Sequence, residues 1–442
     1  MIHLVIAGMR TSKYNQSEDC ALSIHGTTLI PSLAVNCIDR RTLMKTRIAI
    51  LAILGAILIG GCDPSPTATP KAEIPPPLRL SPPELVTLPV LSQTFSNQRI
   101  QVTEDIRGAL FQNCTLEVWR GNGITITDSM FINSRMYIEE SQNIEISNSV
   151  IRDFYVWEEP AINIHASEHI LIGHNEIKNN SIGVVISECS DTEIRDNIFE
   201  SNNQHNALVL GGTSADVYGN VFLFNFPHAM LIMNRAADPT VQVNIYNNIF
   251  DRNIEDAINF EDFRGSDQIS RVYNNRVTGT GWAGINVEYN SWNANLILED
   301  NYIDSNGLMT DEIMDEGGQL ISIYPPPGDQ PEPYSPGWKH GIKIEDSSGV
   351  IVQGNVIVNN QGNGIDIMNS REITLEGNFV TRNVVGVSVM KYLESSLTRG
   401  FSPIAEEDAG YSFVTSIDNL VFSNIEEDWF VEEGSRLIAG DK

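Results

Sequence analysis

Polar and charged side chains recur at matching positions of four short apolar runs in the second half of the sequence. The runs read INFE (258–261), INVE (285–288), IKIE (342–345) and IDIM (365–368). Their polar members are Asn259, Glu261, Asn286, Glu288, Lys343, Glu345 and Asp366. Stacked carboxylates repel one another unless they are protonated or bridged by a cation, and amide and carboxylate oxygens are ligands that Ca²⁺ takes. The pattern predicts a cation site or a site for proton transfer.

Alternation of apolar and polar residues in these runs is typical of β-strands with one face on a core and the other face outward. The same alternation returns in VVIS (184–187), LVLG (208–211) and VSVM (387–390). Short strands of this kind must position the polar pairs. They can do so only if an ordered scaffold holds them side by side.

A repeated asparagine frame supplies that order. Its first asparagine falls at Asn148, Asn175, Asn197, Asn220, Asn248, Asn275, Asn301, Asn355 and Asn378. Five residues later a second polar residue follows, at Asp153, Asn180, Asn202, Asn225, Asn253, Thr280, Asn306, Asn360 and Asn383. Most steps are 22 to 28 residues, and the 54-residue step to Asn355 fits two coils or one coil with an insertion. Such a period predicts stacked structural units.

A unit this short cannot bury its apolar face alone, so neighbouring units must stack at roughly the 4.7–4.9 Å spacing of a sheet. Identical amides at equivalent turns can then donate and accept hydrogen bonds along the stack. We therefore predict an all-β solenoid of parallel strands over residues 93–425, with about 11–12 coils and an asparagine ladder.

This pattern resembles the pectate-lyase-like family of right-handed parallel β-helix proteins, over about residues 100–390. The resemblance implies a right-handed single-stranded parallel β-helix. That scaffold carries lyases, hydrolases, epimerases and non-catalytic proteins, so function must be argued from the site. The sequence lacks the DPHE motif of alginate epimerases, and HGIK (340–343) echoes the polygalacturonase motif only in part.

Related β-helix lyases place Ca²⁺ ligands and a basic catalytic residue on this same sheet. By that resemblance, Glu261, Glu288, Glu345 and Asp366 would be the metal ligands and Lys343 the base. Neighbouring carboxylates favour the charged form of Lys343, which opposes a base role unless Ca²⁺ offsets their charge. His340 is the alternative base, because histidine has the better intrinsic pKa.

A long insertion separates Asn301 from the IKIE run. The interval from ladder asparagine to strand is 41 residues here and 10 in the coils at Asn248, Asn275 and Asn355, which gives a predicted insertion at 308–339. Long loops on rigid scaffolds are often functional. Trp282, Trp292 and Trp338 lie in or near these coils. Together with Asn259 and Asn286 they are candidate substrate-binding residues, although each tryptophan could instead pack a loop on the solenoid.

The N-terminal region predicts export. Residues 44–61 have a basic start and a twelve-residue apolar stretch, the pattern of a signal peptide. They end in IGG before Cys62, and IGGC resembles the lipobox of bacterial lipoproteins, which implies lipidation of Cys62. Residues 1–43 are then an over-extended N-terminus, and the proline-rich residues 62–92 a stiff tether. We expect a cell-envelope protein, periplasmic or on the outer surface, anchored to a membrane by lipid.

The net charge of the chain restricts the classes of molecule that it can bind. The chain carries a formal charge of −29, which opposes nucleic-acid binding because phosphates require basic neutralisation. Residues 426–442 are predicted to form an acidic C-terminal cap, and we expect a monomer. Two functions stay open. One is a polysaccharide lyase acting on uronic-acid glycans, with Ca²⁺ as a candidate cofactor, or else a glycoside hydrolase. The other is a non-catalytic solenoid that binds carbohydrate or serves as a structural surface protein.

Overall fold

The computed structural model describes residues 73–290, 293–308, 339–391 and 412–439. These residues form three parallel β-sheets of thirteen strands each, and no helix occurs among them. Successive strands of the chain fall in the first, second and third sheet in turn, so three strands make one coil. The predicted parallel β-helix is confirmed, with thirteen strands per sheet where about 11–12 coils were predicted.

Strands of equal rank in the three sheets belong to the same coil. The first sheet contains Gln93–Ser96, Ala109–Gln112, Met130–Ile132, Val150–Arg152, Glu176–Lys178, Ile198–Glu200, Val221–Leu223, Ile249–Asp251, Arg276–Thr278, Tyr302–Asp304, Val356–Val358, Phe379–Thr381 and Leu420–Phe422. The second contains Arg99–Gln101, Thr115–Trp119, Arg135–Glu139, Pro160–His165, Ile182–Ser187, Leu208–Gly211, Met230–Asn234, Ile258–Phe263, Ile285–Glu288, Ile342–Glu345, Ile365–Met368, Val385–Met390 and Glu427–Val431. The third contains Ile106–Arg107, Asn122–Thr127, Gln142–Ser147, Glu168–Gly173, Ser190–Arg195, Ala215–Tyr218, Val243–Tyr246, Ser270–Tyr273, Leu296–Glu299, Ser348–Gln353, Arg371–Glu376, Phe413–Ile417 and Arg436–Ala439.

Inward side chains of all three sheets form one continuous apolar core along the axis. Phe199, Phe222 and Phe250 occupy the same position in successive coils, and their rings stack with centroids 4.6 and 4.8 Å apart. These distances match the ordinary spacing of strands in a sheet. Each coil therefore buries its apolar face against its two neighbours, as the short repeat requires.

Two ladders of buried asparagines hold the coils in register. The side-chain amide of Asn248 donates to Oδ1 of Asn275 at 3.0 Å and to the backbone carbonyl of Val217 at 2.9 Å. The second ladder repeats this geometry, for example from Asn202 to Asn225 at 3.1 Å. Most of these amides thus bond both the next amide and a backbone carbonyl, which confirms the predicted asparagine ladder.

The ladders differ from the sequence pattern at their start. Asn148 and Asp153 were assigned to them, but Ser149 and Phe154 occupy those positions, and their backbone N–H groups donate to the side chains of Asn175 and Asn180. Asn148 is exposed and has a positive φ, a conformation that asparagine tolerates in turns. The frame was therefore displaced by one residue in this coil.

The 54-residue step from Asn301 to Asn355 is one coil with an insertion. Nδ2 of Asn301 donates to Oδ1 of Asn355 at 3.0 Å, so the two residues lie in adjacent coils. The insertion lies in sequence between a strand of the first sheet, Tyr302–Asp304, and a strand of the second sheet, Ile342–Glu345. Of the predicted segment 308–339, only its two end residues fall within the described part of the chain.

At the other end the solenoid runs past its predicted limit of residue 425. Glu427–Val431 and Arg436–Ala439, within the segment predicted as an acidic cap, form the last strands of the second and third sheets. Both strands are largely exposed. The second ladder ends here, because Nδ2 of Asn424 donates to a carboxylate oxygen of Asp428 at 2.9 Å.

The described part of the predicted tether, residues 73–92, lies along the outside of the first sheet. Ile74 and Leu78 pack against a cluster of Tyr302, Val358 and Phe379 in the late coils. Further along, the backbone N–H of Val86 donates to Glu176 at 2.9 Å, and that of Ser92 donates to Gly108 at 2.8 Å. This segment therefore runs against the order of the coils and is attached to the solenoid, which the proline-rich composition did not predict.

Asn248→Ala and Asn275→Ala should each lower the free energy of unfolding by about 1–3 kcal/mol, because each leaves buried turn groups without a partner. Denaturant unfolding measures this change. Asn244→Ala is the matched control, since its amide contacts Asp216 on the outer surface and its loss should cost less than about 0.5 kcal/mol. Equal stability of the ladder variants and the control would contradict the role of the ladder.

Candidate functional site

Outward positions of the second sheet form two columns along the solenoid axis. One column contains, in register, Asn259, Asn286, Lys343 and Asp366, and the other contains Glu261, Glu288 and Glu345. Their strands belong to four consecutive coils, the eighth to the eleventh. The structure therefore brings together the seven outward residues that the sequence pattern grouped.

A β-bulge marks the beginning of these columns. Ile232 pairs with Phe260 and Asn234 pairs with Phe263, so one residue of the seventh strand faces two residues, Glu261 and Asp262, of the eighth. Bulges re-aim side chains and are common beside functional sites. Arg235 lies against both of these carboxylates, at 3.2 Å from Glu261 and 3.4 Å from Asp262.

A third column lies in the turns that lead into the second sheet. The position two residues before each strand is occupied by His228, Asp256, Ala283, His340 and Asn363 in the seventh to eleventh coils. The sequence pattern identifies His340 but not His228 and Asp256, because strand alternation does not extend into the turns. Their constant distance from the next strand was the signal that could have found them. We call Asp256, Asn259, Asn286, Glu288, His340, Lys343, Glu345 and Asp366 the acidic cluster.

Members of the acidic cluster face away from the core, yet all eight are buried. The exposed margin consists of the partly exposed residues His228, Glu261 and Asn363. Charges removed from water interact more strongly and must be paired, hydrogen-bonded or neutralised by a proton. The protonation states of the cluster therefore follow from its internal contacts.

Asp256 connects the turn column to the strand columns. Its carboxylate accepts hydrogen bonds from the backbone N–H of Ala283 at 2.9 Å and from Nδ2 of Asn286 at 3.1 Å. Nδ1 of His228 lies 3.4 Å from the same carboxylate. Burial lowers the pKa of His228, so its imidazole is neutral near pH 7.

Lys343 lies between two carboxylates of the neighbouring column. Its Nζ is 2.5 Å from Glu345 and 3.9 Å from Glu288. Burial alone lowers the pKa of this lysine, but the attraction of Glu345 and Glu288 outweighs burial and raises it. Lys343 is therefore an ammonium ion near pH 7, which opposes the general-base role that was predicted for it. A fixed positive charge instead suits stabilisation of negative charge on a substrate.

His340, the alternative base, is held by two neighbours. Its Nδ1 lies 3.1 Å from the backbone N–H of Asn363, and its Nε2 lies 3.5 Å from Asp366. An N–H donor on Nδ1 assigns the proton of the neutral ring to Nε2, which faces the carboxylate. The lone pair that a base needs is thus already engaged, so the arrangement favours an orienting role for His340.

Carboxyl groups of the site are better suited to exchange protons. Burial, together with the charge of Asp256, raises the pKa of Glu288 to about 7, although Lys343 and a 3.1 Å hydrogen bond from Asn259 act in the opposite direction. Burial also raises the pKa of Asp256, and that of the adjacent Glu255 well above its usual range. A carboxyl group with a pKa near 7 can act as an acid or a base at neutral pH.

Several buried polar atoms of these columns have no hydrogen-bond partner among the residues that the structure describes. They are Oδ1 of Asn259, Oδ1 of Asn286 and Oγ of Ser388, a residue that pairs with Asp366 of the preceding coil. Buried acceptors are normally satisfied, and one left without a donor costs free energy. A row of such acceptors along the axis is suited to a ligand that carries hydroxyl donors.

The predicted Ca²⁺ site at Glu261, Glu288, Glu345 and Asp366 stays a prediction. Within the described ranges no group of three or more histidine, cysteine, aspartate and glutamate side chains could hold a metal ion. Lys343 already contacts two of the four proposed ligands, so its ammonium ion lies where a cation would have to bind. The donor set therefore fits a bound metal poorly.

The predicted aromatic positions are only partly described. Trp282 is partly buried, and its backbone N–H donates to the carbonyl of Glu255 at 3.2 Å, next to the acidic cluster. Trp292 and Trp338 lie outside the described residues, as does Cys62.

The raised pKa of Glu288 predicts how stability depends on pH. The folded protein binds this proton more tightly than the unfolded chain, whose carboxyl pKa is near 4.5. Stability from the protonated group is complete below about pH 4.5 and is lost as pH rises through about 7. Glu288→Gln keeps the uncharged shape at every pH, so its urea-unfolding free energy should fall less steeply over this range than that of the parent. Parallel pH profiles would contradict the raised pKa.

Known proteins resemble this chain in fold. None of the curated proteins matches the sequence. Among solved structures, the periplasmic alginate epimerase AlgG has 15% identity over 78% of this chain and 77% of that chain, with a TM-score of 0.54. The catalytic domain of a GH87 α-1,3-glucanase has 11% identity and a TM-score of 0.51 over 79% of this chain, which spans 63% of that domain.

The sequence profile of the right-handed β-helix region matches residues 94–244 and 335–428. These two segments make up more than half of the chain. They contain four of the eight residues of the acidic cluster: His340, Lys343, Glu345 and Asp366. The profile and the three parallel sheets agree on the predicted architecture. The chain belongs to the right-handed β-helix family.

Proposed function

We propose that this chain is a polysaccharide-cleaving enzyme whose acidic cluster transfers a proton through Glu288. The observation that carries the proposal is the Glu288 carboxyl group, which is buried, has a pKa of about 7 and lies 3.9 Å from the Lys343 ammonium ion. A proton donor or acceptor matched to neutral pH, beside a fixed positive charge, suits cleavage of a glycosidic bond.

The substrate class is inferred from two further observations. The acceptors at Asn259 and Asn286, which lack a donor among the described residues, suit the hydroxyl groups of a sugar chain. Two solved structures with this fold are named as an alginate epimerase and an α-1,3-glucanase, both enzymes of polysaccharides. The likeness to them is one of fold, so it supports a glycan and does not identify the sugar.

Two reaction types fit the cluster. In a lyase, Glu288 would take the proton next to the carboxylate of a uronic acid while Lys343 stabilises the negative charge. The glycosidic C–O bond on the neighbouring carbon would then break to leave a C=C bond, and the departing oxygen would take a proton from water. In a hydrolase, protonated Glu288 would give its proton to the leaving oxygen while a water molecule bonds to the anomeric carbon and loses its proton to a second carboxylate. The acidic cluster contains more carboxyl groups than the single ammonium group of Lys343. Binding of an acidic glycan therefore requires more of the negative charge of the cluster to be neutralised than binding of a neutral glycan. Calcium assistance of the lyase reaction stays a proposal, and no step above requires it.

In the decisive experiment, the protein is incubated with a panel of uronic-acid and neutral polysaccharides. Each incubation is done once with added calcium and once with a calcium chelator. Cleavage should appear as an ultraviolet-absorbing unsaturated end for a lyase, or as new reducing ends without that absorbance for a hydrolase. Glu288→Gln should lower kcat by about 10²–10⁴-fold, the usual contribution of acid–base catalysis.

Dependence of the rate on pH gives a second measurement. Activity should change near pH 7, rising with pH if Glu288 is the base and falling if it is the acid. The matched control is Glu299→Gln on the third sheet, whose carboxylate pairs with Arg271 and should not affect the rate. Binding of a glycan without any cleavage would leave the alternative function, a non-catalytic carbohydrate-binding solenoid. If the protein neither binds nor cleaves any glycan, the remaining alternative is a structural solenoid.

We also propose that the protein is exported and anchored by a lipid on Cys62. The signal-peptide and lipobox patterns support this, and one solved structure with this fold is named as periplasmic. None of the described residues belongs to a helix long and apolar enough to cross a membrane.

Cys62→Ser should abolish labelling with a radioactive fatty acid and release the protein from washed membranes, because one acyl-modified cysteine is the proposed anchor. Cys189→Ser is the matched control, since this thiol is buried within the solenoid and should not affect labelling. A Cys62→Ser protein that stays on membranes after a salt wash would contradict the lipid anchor.

A further inference from the structure

A second group of residues on the same side of the solenoid is not used by the proposed reaction. The loop at 153–159 connects the first and second sheets in the fourth coil. Its aromatic side chains at Tyr155 and Trp157 are 57% and 64% exposed. Large aromatic side chains exposed together in this way suggest a binding surface, because they gain free energy when covered.

The loop is anchored, so these aromatic rings are held in place. Phe154 is buried at its start, and its backbone N–H donates to the ladder residue Asn180 at 3.1 Å. Arg135 lies 6.0 Å from the Phe154 ring and forms an ion pair with Glu159 at the other end of the loop. A surface fixed in this way loses little conformational entropy on binding.

Trp157 reaches across the intervening coil to His205. The two rings meet edge to face, with centroids 4.8 Å apart and an angle of 76° between their planes. Burial lowers the pKa of His205, so its ring is neutral near pH 7. The loop of the fourth coil and the turn of the sixth coil thus form one surface, which we call the aromatic platform: Tyr155, Trp157, Asn203 and His205.

Polar atoms of the platform lack partners. Nε2 of His205 and Oδ1 of Asn203 are buried and make no hydrogen bond to any described residue. Two unpartnered polar atoms beside an exposed indole match the two faces of a sugar, whose C–H groups stack on aromatic rings while its hydroxyl groups form hydrogen bonds.

The platform and the acidic cluster lie on one line. His205 is in the turn that leads into the second sheet of the sixth coil, and the corresponding turns of the seventh and eighth coils carry His228 and Asp256. At the strand spacing of about 4.8 Å, two to four coils separate the platform from Asp256 by about 10–19 Å. A sugar chain laid along the axis can therefore reach both.

We propose that the aromatic platform is a distal binding site for the polysaccharide whose cleavage is proposed above, with Tyr155 and Trp157 stacking on sugar rings and Asn203 and His205 bonding their hydroxyl groups. The inference rests on the proposed function. It adds that the enzyme prefers long chains, because an oligosaccharide that fills only the acidic cluster does not reach the platform.

The test compares the parent with the double variant Tyr155→Ala/Trp157→Ala. The ratio of KM for the long polysaccharide to KM for the shortest cleaved oligosaccharide should rise about tenfold, as expected from loss of two stacking contacts. Ile269→Ala, an exposed apolar residue before the third sheet, is the control and should leave the ratio unchanged. An unchanged ratio in the double variant would overturn the platform.

Calorimetric binding of the long polysaccharide separates this failure from failure of the proposed function. Glu288→Gln should bind the chain, and adding the two platform substitutions should weaken its Kd about tenfold. If the parent cleaves the polysaccharide but the platform substitutions leave Kd unchanged, the platform is wrong and the enzyme stands. If the parent neither binds nor cleaves any glycan of the panel, the proposed function fails first.

Discussion

Hydrogen bonds between side-chain amides of successive coils are the constraint on which this structure depends. Each ladder asparagine, such as Asn220 or Asn248, donates to the amide of the next coil and to a backbone carbonyl at once. A coil shifted by one residue would break both bonds and turn its apolar face outward. The ladders therefore fix the register of the strands from the fifth coil onward, and with it the side chains that meet along the axis.

That register explains how an acidic chain gathers so many carboxyl groups at one place. Glu261, Glu288 and Glu345 cannot avoid one another, because three consecutive coils present them at the same height. The repulsion is relieved locally, by the ammonium ion of Lys343 and by the proton that Glu288 retains up to about pH 7. Burial raises the pKa of Glu288, and rigid spacing adds to the effect, since a flexible scaffold would let the charges separate.

Periodicity predicted the parts of the molecule that repeat. The asparagine spacing indicated the coils, and strand alternation was sufficient to group Asn259, Asn286 and Lys343 on one face. Periodicity did not identify functional candidates in turns of variable length, such as Asp256. It also placed Asn148 at a ladder position that Ser149 occupies. The charge of Lys343 and the path of residues 73–92 depend on distances between chain segments remote in sequence, which composition does not contain.

The last rung of the second ladder differs from the others, because it ends on a carboxylate and not on an amide. A ladder of amides offers a donor at every step, so another copy of the chain could in principle continue it and produce a filament. Asp428 occupies the final position, and an ionised carboxylate accepts hydrogen bonds but has none to donate. The exposed edge strand Glu427–Val431 carries further negative charge, and charge on edges discourages pairing with another chain. The second ladder therefore ends on an acceptor, and its last rung presents no amide donor to a further coil.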